Sequence, residues 1–129
     1  MLYDKDIREP LFDFLEEAYG KLRIIEEKQV GKSRADIVMV LPGLLTGIEI
    51  KSDADSYVRL SRQVKDYDRF FDRNMVVAGS SHAAHVREHV PGWWGIITVE
   101  QNDRETDFNV LRQPQENPMK NWKRKLSLL

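Results

Sequence analysis

The chain has 129 residues, of which 41% are hydrophobic, so it is long enough and apolar enough to bury a core of its own as one domain. It has no cysteine, which excludes disulfides, thiolate zinc sites and iron–sulfur clusters and fits a reducing compartment. The net charge of -1 argues against a protein that holds nucleic acid by bulk charge alone. The charge is unevenly spread, however: six acids face two bases from Met1 to Gly20, and five bases face one acid from Arg112 to Leu129. No apolar run reaches the length of a bilayer span, and MLYDKDIREP lacks the apolar stretch of a signal peptide, so a cytoplasmic protein with no membrane partner is expected.

The first element is a helix in YDKDIREPLFDFLEEAYG, where Ile7, Leu11, Phe14, Leu15 and Ala18 recur at helical spacing and Gly20 is the stop. Asp4 or Asp6 would cap it, and Pro10 is acceptable near its first turn. KLRIIEEKQV and RADIVMVLP then read as strands, followed by a turn at Pro42-Gly43 and a third strand, LLTGIEIKS. Tight connections make these three an antiparallel meander. In SYVRLSRQVKDYDRFFD the period changes, with Val58, Leu60, Val64, Tyr67, Phe70 and Phe71 on one helical stripe. NMVVAG is a short buried strand, SHAAHVREHV a second short helix, WWGIITVE another strand and DFNVLRQP an edge strand. The order α-β-β-β-α-β-α-β describes an α/β domain with a central mixed sheet flanked by helices. That domain is expected over residues 1–112, with a basic C-terminal appendage over 113–129.

The third strand places Ile48 and Ile50 on one face and Glu49 and Lys51 on the other. Asp36 opens an otherwise apolar strand across the Pro42-Gly43 turn, so a hairpin brings it beside Glu49. Two neighbouring carboxylates repel and stay ionised only with a cation between them. Mg²⁺ or Mn²⁺ suits such all-oxygen ligands and accepts a substrate phosphate. Lys51 completes a set able to hydrolyse a phosphodiester, by orienting the attacking water or neutralising developing charge. On spacing alone the plainer alternative stays open: a cross-strand ion pair beside a strand-end aspartate.

RADIVMV…GIEIKSD resembles the D…ExK signature of the PD-(D/E)XK nuclease superfamily. Gln63 and Tyr67 in QVKDY match the Q-x-x-x-Y motif of its RecB-like branch. The resemblance covers roughly residues 4 to 100. It implies a restriction-endonuclease-like core and a divalent-metal-dependent nuclease, a small stand-alone bacterial or phage type. Its substrate would be nucleic acid, DNA in the first instance, in repair, recombination or phage and mobile-element biology. Asp36 and Glu49 would bind the metal, Lys51 would handle the water, and Gln63 and Tyr67 would position the scissile region. Their four-residue spacing puts these last two on one helix face. The superfamily often draws another acid from the first helix, and Glu9 matches by position, ahead of Asp13 and Glu16. Ala35 stands where the superfamily's eponymous proline would be, and the cysteines that hold an iron–sulfur cluster in some RecB-like relatives are missing.

Other signals compete. His82, His85 and His89 recur at i, i+3 and i+7, but seven residues span about 10.5 Å along a helix, too far for all three to share one ion. They read as a solvated or substrate-facing stripe on one helix face. Trp93 and Trp94 would point to opposite faces of a regular strand, one free to stack on a base, although burial of both is the plainer reading. Asp53 and Asp55 read as caps of the helix that follows. Arg59, Arg62, Lys65 and Arg69 on that helix would seat a phosphate backbone. Lys120, Lys123, Arg124 and Lys125 around Trp122 form either a phosphate-gripping tail or a solvated helix. A rival of a different class is a non-cleaving nucleic-acid- or protein-binding module with the same fold. A protein partner or a homodimer stays open.

Overall fold

Ile7, Leu11 and Leu15 are fully buried at four-residue intervals, and that stripe fixes α1, Asp4–Tyr19, against one side of a sheet in a computed structural model that describes residues 2–119. Tyr3 is the N-cap, and Asp6 reaches back to accept a hydrogen bond from its N–H at 2.9 Å. Pro10 lies in the second turn rather than the first. The helix runs on through it, forgoing one N–H.

β1 (Arg23–Val30), β2 (Ser33–Leu41) and β3 (Leu44–Lys51) form the expected antiparallel meander, with Gly31 and Gly43 at positive φ in the two tight turns. α2 (Leu60–Phe70) crosses over to β4 (Arg73–Gly79), which pairs parallel with β3. A short 3-10 turn and α3 (Ala83–His89) lead to β5 (Gly95–Asn102), parallel to β4, and β6 (Glu105–Arg112) returns antiparallel at the edge. The six strands lie in sequence order in one mixed sheet. α1 covers one face, and α2 and α3 cover the other.

Lying between β2 and β4 inside the sheet, with helices on both faces, β3 is buried along almost its whole length, including Glu49 and Lys51. Gly47 matters to the site above it. A Cβ there would overlap the Phe71 ring, so the glycine lets the end of α2 settle onto β3, and Tyr67 packs edge-on against Phe71 at 5.5 Å.

The boundary expected at residue 112 is not where the fold ends. Asn117 is buried, and its Nδ2 donates to the carbonyls of Asp68 and Phe71 at 2.7 and 2.8 Å. Gln115 N–H bonds Trp93 O at 2.8 Å. Residues 113–119 are therefore part of the domain, while Lys120, Trp122, Lys123, Arg124 and Lys125 lie outside the described residues. Among the described residues no helix is long and apolar enough to cross a membrane.

Candidate active site

The β2–β3 ladder runs from Leu41↔Leu44 up to Ile37↔Ile48, and at its end the Asp36 carboxylate enters the fork between the strands. Its Oδ2 accepts the Ile50 N–H at 2.8 Å, so a side chain continues the hydrogen bonding that the ladder no longer supplies. Glu49, on the α2 face of β3, accepts a 2.5 Å hydrogen bond from the Tyr67 hydroxyl. The same hydroxyl oxygen accepts from Asp36 N–H at 3.3 Å. Lys51 Nζ lies 3.6 Å from Glu49 Oε2, with the two side chains only 8% and 4% exposed. Asp36, Glu49, Lys51 and Tyr67 thus converge.

Convergence has an electrostatic cost. Burial, followed by repulsion from Asp36, pushes the Glu49 carboxyl up to about 8. The Tyr67 hydrogen bond and the Lys51 ammonium oppose that shift without cancelling it. Burial also raises Asp36, against the pull of the Ile50 N–H and Arg8. Tyr67 is held well above its ordinary range by burial and then by the Glu49 charge, so it remains a phenol and a donor. Near neutral pH the pair retains a proton.

Gln63 lies one helical turn before Tyr67 and lines the same cleft as Asp36, a space of about 480 Å³. Its buried Oε1 has no hydrogen-bond partner among the described residues. Two carboxylates and an orphaned amide oxygen are hard donors of the kind that suit Mg²⁺ or Mn²⁺. Among the described residues no three His, Cys, Asp or Glu side chains converge as a complete cage, so water and substrate oxygens would fill the rest of such a shell, as Mg²⁺ readily accepts. Lys32, Arg59 and Arg62 border this cleft and also an adjoining groove of about 580 Å³ that continues to Lys65 and Arg69 on the outer side of α2.

The helix α1 meets the site differently from the expectation. Glu9 is exposed and points away, because one residue along a helix turns the side chain by about 100°. Arg8 faces the site instead. Its guanidinium donates to Asp36 O at 3.2 Å and lies 3.6 Å from Asp36 Oδ1. It is also bidentate to Asp4, at 2.8 and 3.0 Å, and within 3.2 Å of Glu26 and 3.0 Å of Glu27. The only sequence signal for this residue was the Asp4–Arg8 spacing of four, which marks an ordinary helical ion pair.

Several other residues lie elsewhere than expected. α2 starts at Leu60 rather than near Ser56, leaving Val58 86% exposed, so Asp53 and Asp55 cannot cap it. Asp55 instead accepts from Ser52 N–H and Oγ, and Asp53 from Leu2 N–H at 2.7 Å. The histidines do not share a face: His82, in the 3-10 turn, lies 3.2 Å from Asp53, whereas His85 and His89 pack on Tyr57. Trp93 and Trp94 precede β5 rather than starting it, and both indole N–H groups converge on Asp68 Oδ1, at 3.2 and 2.9 Å.

A profile of the family described as bacteriophage P4 protein cII matches residues 1–129. Protein cII of Enterobacteria phage P4 is 29% identical over 80 residues, covering 62% of this chain and 30% of that protein, so the chain aligns with less than a third of its relative's length. Among solved structures, SfsA of Pyrococcus furiosus, determined in complex with Ca²⁺, is 19% identical. It superposes with a TM-score of 0.45, covering 85% of this chain and 60% of that one, a likeness too distant to speak to activity. The match along its full length places the chain in the bacteriophage P4 protein cII family.

Proposed function

We propose that this phage-related protein is a divalent-metal-dependent phosphodiesterase acting on nucleic acid, with DNA as the substrate to test first. One observation carries the reading: Asp36, Glu49, Lys51 and Tyr67, brought from two strands and a helix, are interlocked by contacts of 2.5 to 3.6 Å beside the unpartnered Gln63 oxygen. A surface ion pair has no need of a buried lysine, a buried glutamate and a buried tyrosine on one spot. The set also fits the D…ExK…QxxxY pattern of the PD-(D/E)XK nucleases, RecB-like branch.

In this reading Asp36 and Glu49 would hold Mg²⁺ or Mn²⁺, which would supply Lewis acidity to the phosphodiester and neutralise the two carboxylates. Lys51 stands on the same face as Glu49, where its ammonium can orient the attacking water and offset charge on the phosphorane-like transition state. Tyr67 fixes Glu49 through Oε1 and leaves Oε2 beside Lys51. Gln63 Oε1, unpartnered in the cleft it lines, would accept from a water or complete the ion's oxygen shell. Lys32, Arg59, Arg62, Lys65 and Arg69 give the phosphate backbone a track along α2 that ends at the acids.

The test is incubation of the purified chain with linear, nicked and branched DNA, with Mn²⁺, with Mg²⁺ and with chelator. Cleavage that needs the metal and falls by at least about a hundredfold in both Asp36→Ala and Lys51→Ala, with thermal unfolding retained, is the expected result. DNA binding without cleavage under every metal would replace the enzyme with a binding module.

A further inference from the structure

Among the described residues Arg8 is the cation that reaches the acids from the α1 side of the sheet, and its surroundings are unusual. One guanidinium, 17% exposed, serves Asp4, Glu26, Glu27 and Asp36, which makes four carboxylates to one positive charge. In an ordinary strand Glu26 and Glu27 would point to opposite faces. Here Glu27, which stands across the β1–β2 ladder from Asp36 between the pairs Glu26↔Ile37 and Lys28↔Ala35, has a left-handed φ of 55°, and both carboxylates come to the same arginine. The backbone is therefore bent out of its preferred region at the point that completes the ring of acids around Arg8.

Asp36 does not depend on this arginine for its orientation. The Ile50 N–H holds Oδ2 at 2.8 Å, the Tyr67 hydroxyl takes the main-chain N–H at 3.3 Å, and the β1–β2 ladder flanks it on either side. The contact that Arg8 makes with Oδ1 is looser, at 3.6 Å, and is made by the oxygen left over. Oδ1 is thus the Asp36 atom available to an incoming ion, and Arg8 is already beside it.

We infer that Arg8 is a resident counter-cation of the metal site: it competes with the divalent ion for Asp36 Oδ1 and keeps the site's affinity low, so that occupancy follows the free metal concentration. The inference rests on the proposed metal-binding role of Asp36 and Glu49. Its sign is opposite to that of a residue that merely braces the site. Removal of a brace weakens metal binding, whereas removal of a competing charge strengthens it, because the acids left behind have lost a partner.

The experiment is Mn²⁺ titration of the purified chain, followed by calorimetry and by the loss of the free-ion EPR signal, on wild type, Arg8→Gln, Arg8→Lys and Asp36→Asn, each checked by thermal unfolding. Arg8→Gln is expected to tighten Mn²⁺ binding by at least about fivefold, and Arg8→Lys, which keeps the charge but loses the planar fork, by about two- to threefold. Asp36→Asn is expected to remove the binding. Unchanged or weaker binding in Arg8→Gln, with wild type binding Mn²⁺ through Asp36, overturns the counter-cation role and leaves the metal site standing. No binding in wild type or any variant overturns both. If Arg8→Gln does not fold, Arg8→Lys decides: affinity equal to or below that of wild type refutes the inference.

Discussion

Under α1 the sheet buries Ile37, Met39, Ile48 and Ile50 against Ile7, Leu11 and Leu15, an interior of aliphatic side chains and methionines. On the α2 face Tyr67, Phe71 and Trp94 share their interior with Glu49, Lys51 and Asp68. The same strand, β3, serves both faces through alternate residues. The first face draws its stability from area removed from water and is indifferent to protons. The second depends on a hydrogen-bonded set of charges whose balance shifts with pH and with bound cations. The difference sets an interior held by area against one held by a balance of charges, on the two faces of one strand.

Substitutions can break that contrast. Leu11→Ala empties a fully buried position under α1 and should cost about 2–5 kcal/mol at any pH where the chain folds, read from chemical denaturation. The α2 face should respond to pH instead. The Glu49 carboxyl sits at about 8 in the folded chain against 4.5 for an ordinary glutamate, so the folded state holds more protons than the unfolded state between those values. Stability contributed by the protonated group is full below 4.5 and is lost as pH rises through about 8. The metal-free protein should therefore lose on the order of 3–5 kcal/mol over that window, measured as a fall in Tm in a buffer series with chelator, and Mn²⁺ should reverse the trend. Leu11→Ala should keep the same slope. A finer test is Glu49→Gln, an isostere of the protonated acid that can still accept from Tyr67. It should match wild type within about 0.5 kcal/mol below about pH 4.5 and flatten the decline above it, while abolishing metal-dependent cleavage. A slope that persists in Glu49→Gln would assign the titration to another group.

Legibility in the sequence follows the same division. Periodicity gave α1, the three-strand meander and the buried stripe of α2, because each is a local pattern that burial then enforces. The alternation in GIEIK placed Glu49 and Lys51 on one face, and the four-residue interval placed Gln63 and Tyr67 on another. Asp36 was legible as a residue but not as a wedge in the strand fork, since its partner, Ile50 N–H, is a main-chain group that any sequence would supply. Arg8 was missed because three of its four acids lie 18 to 28 positions away and meet it through a left-handed backbone at Glu27, a conformation for which nothing in EEK asks. The late start of α2 was hidden for a related reason. Asp53 and Asp55 have the chemistry of helix caps, but tertiary partners at Leu2 and Ser52 claim them first. Trp93 and Trp94 looked like the start of a strand because no local pattern shows that Asp68, about 25 residues earlier, collects both indoles.

Asp68 lies next to Tyr67, and its main-chain carbonyl, with that of Phe71, is gripped by Asn117. The stretch after β6 thereby acts as a strap across the last turn of α2, one residue from the phenol that steadies Glu49. Cutting the strap with Asn117→Ala would leave two carbonyls at the end of α2 without their donor and loosen the turn that carries Tyr67.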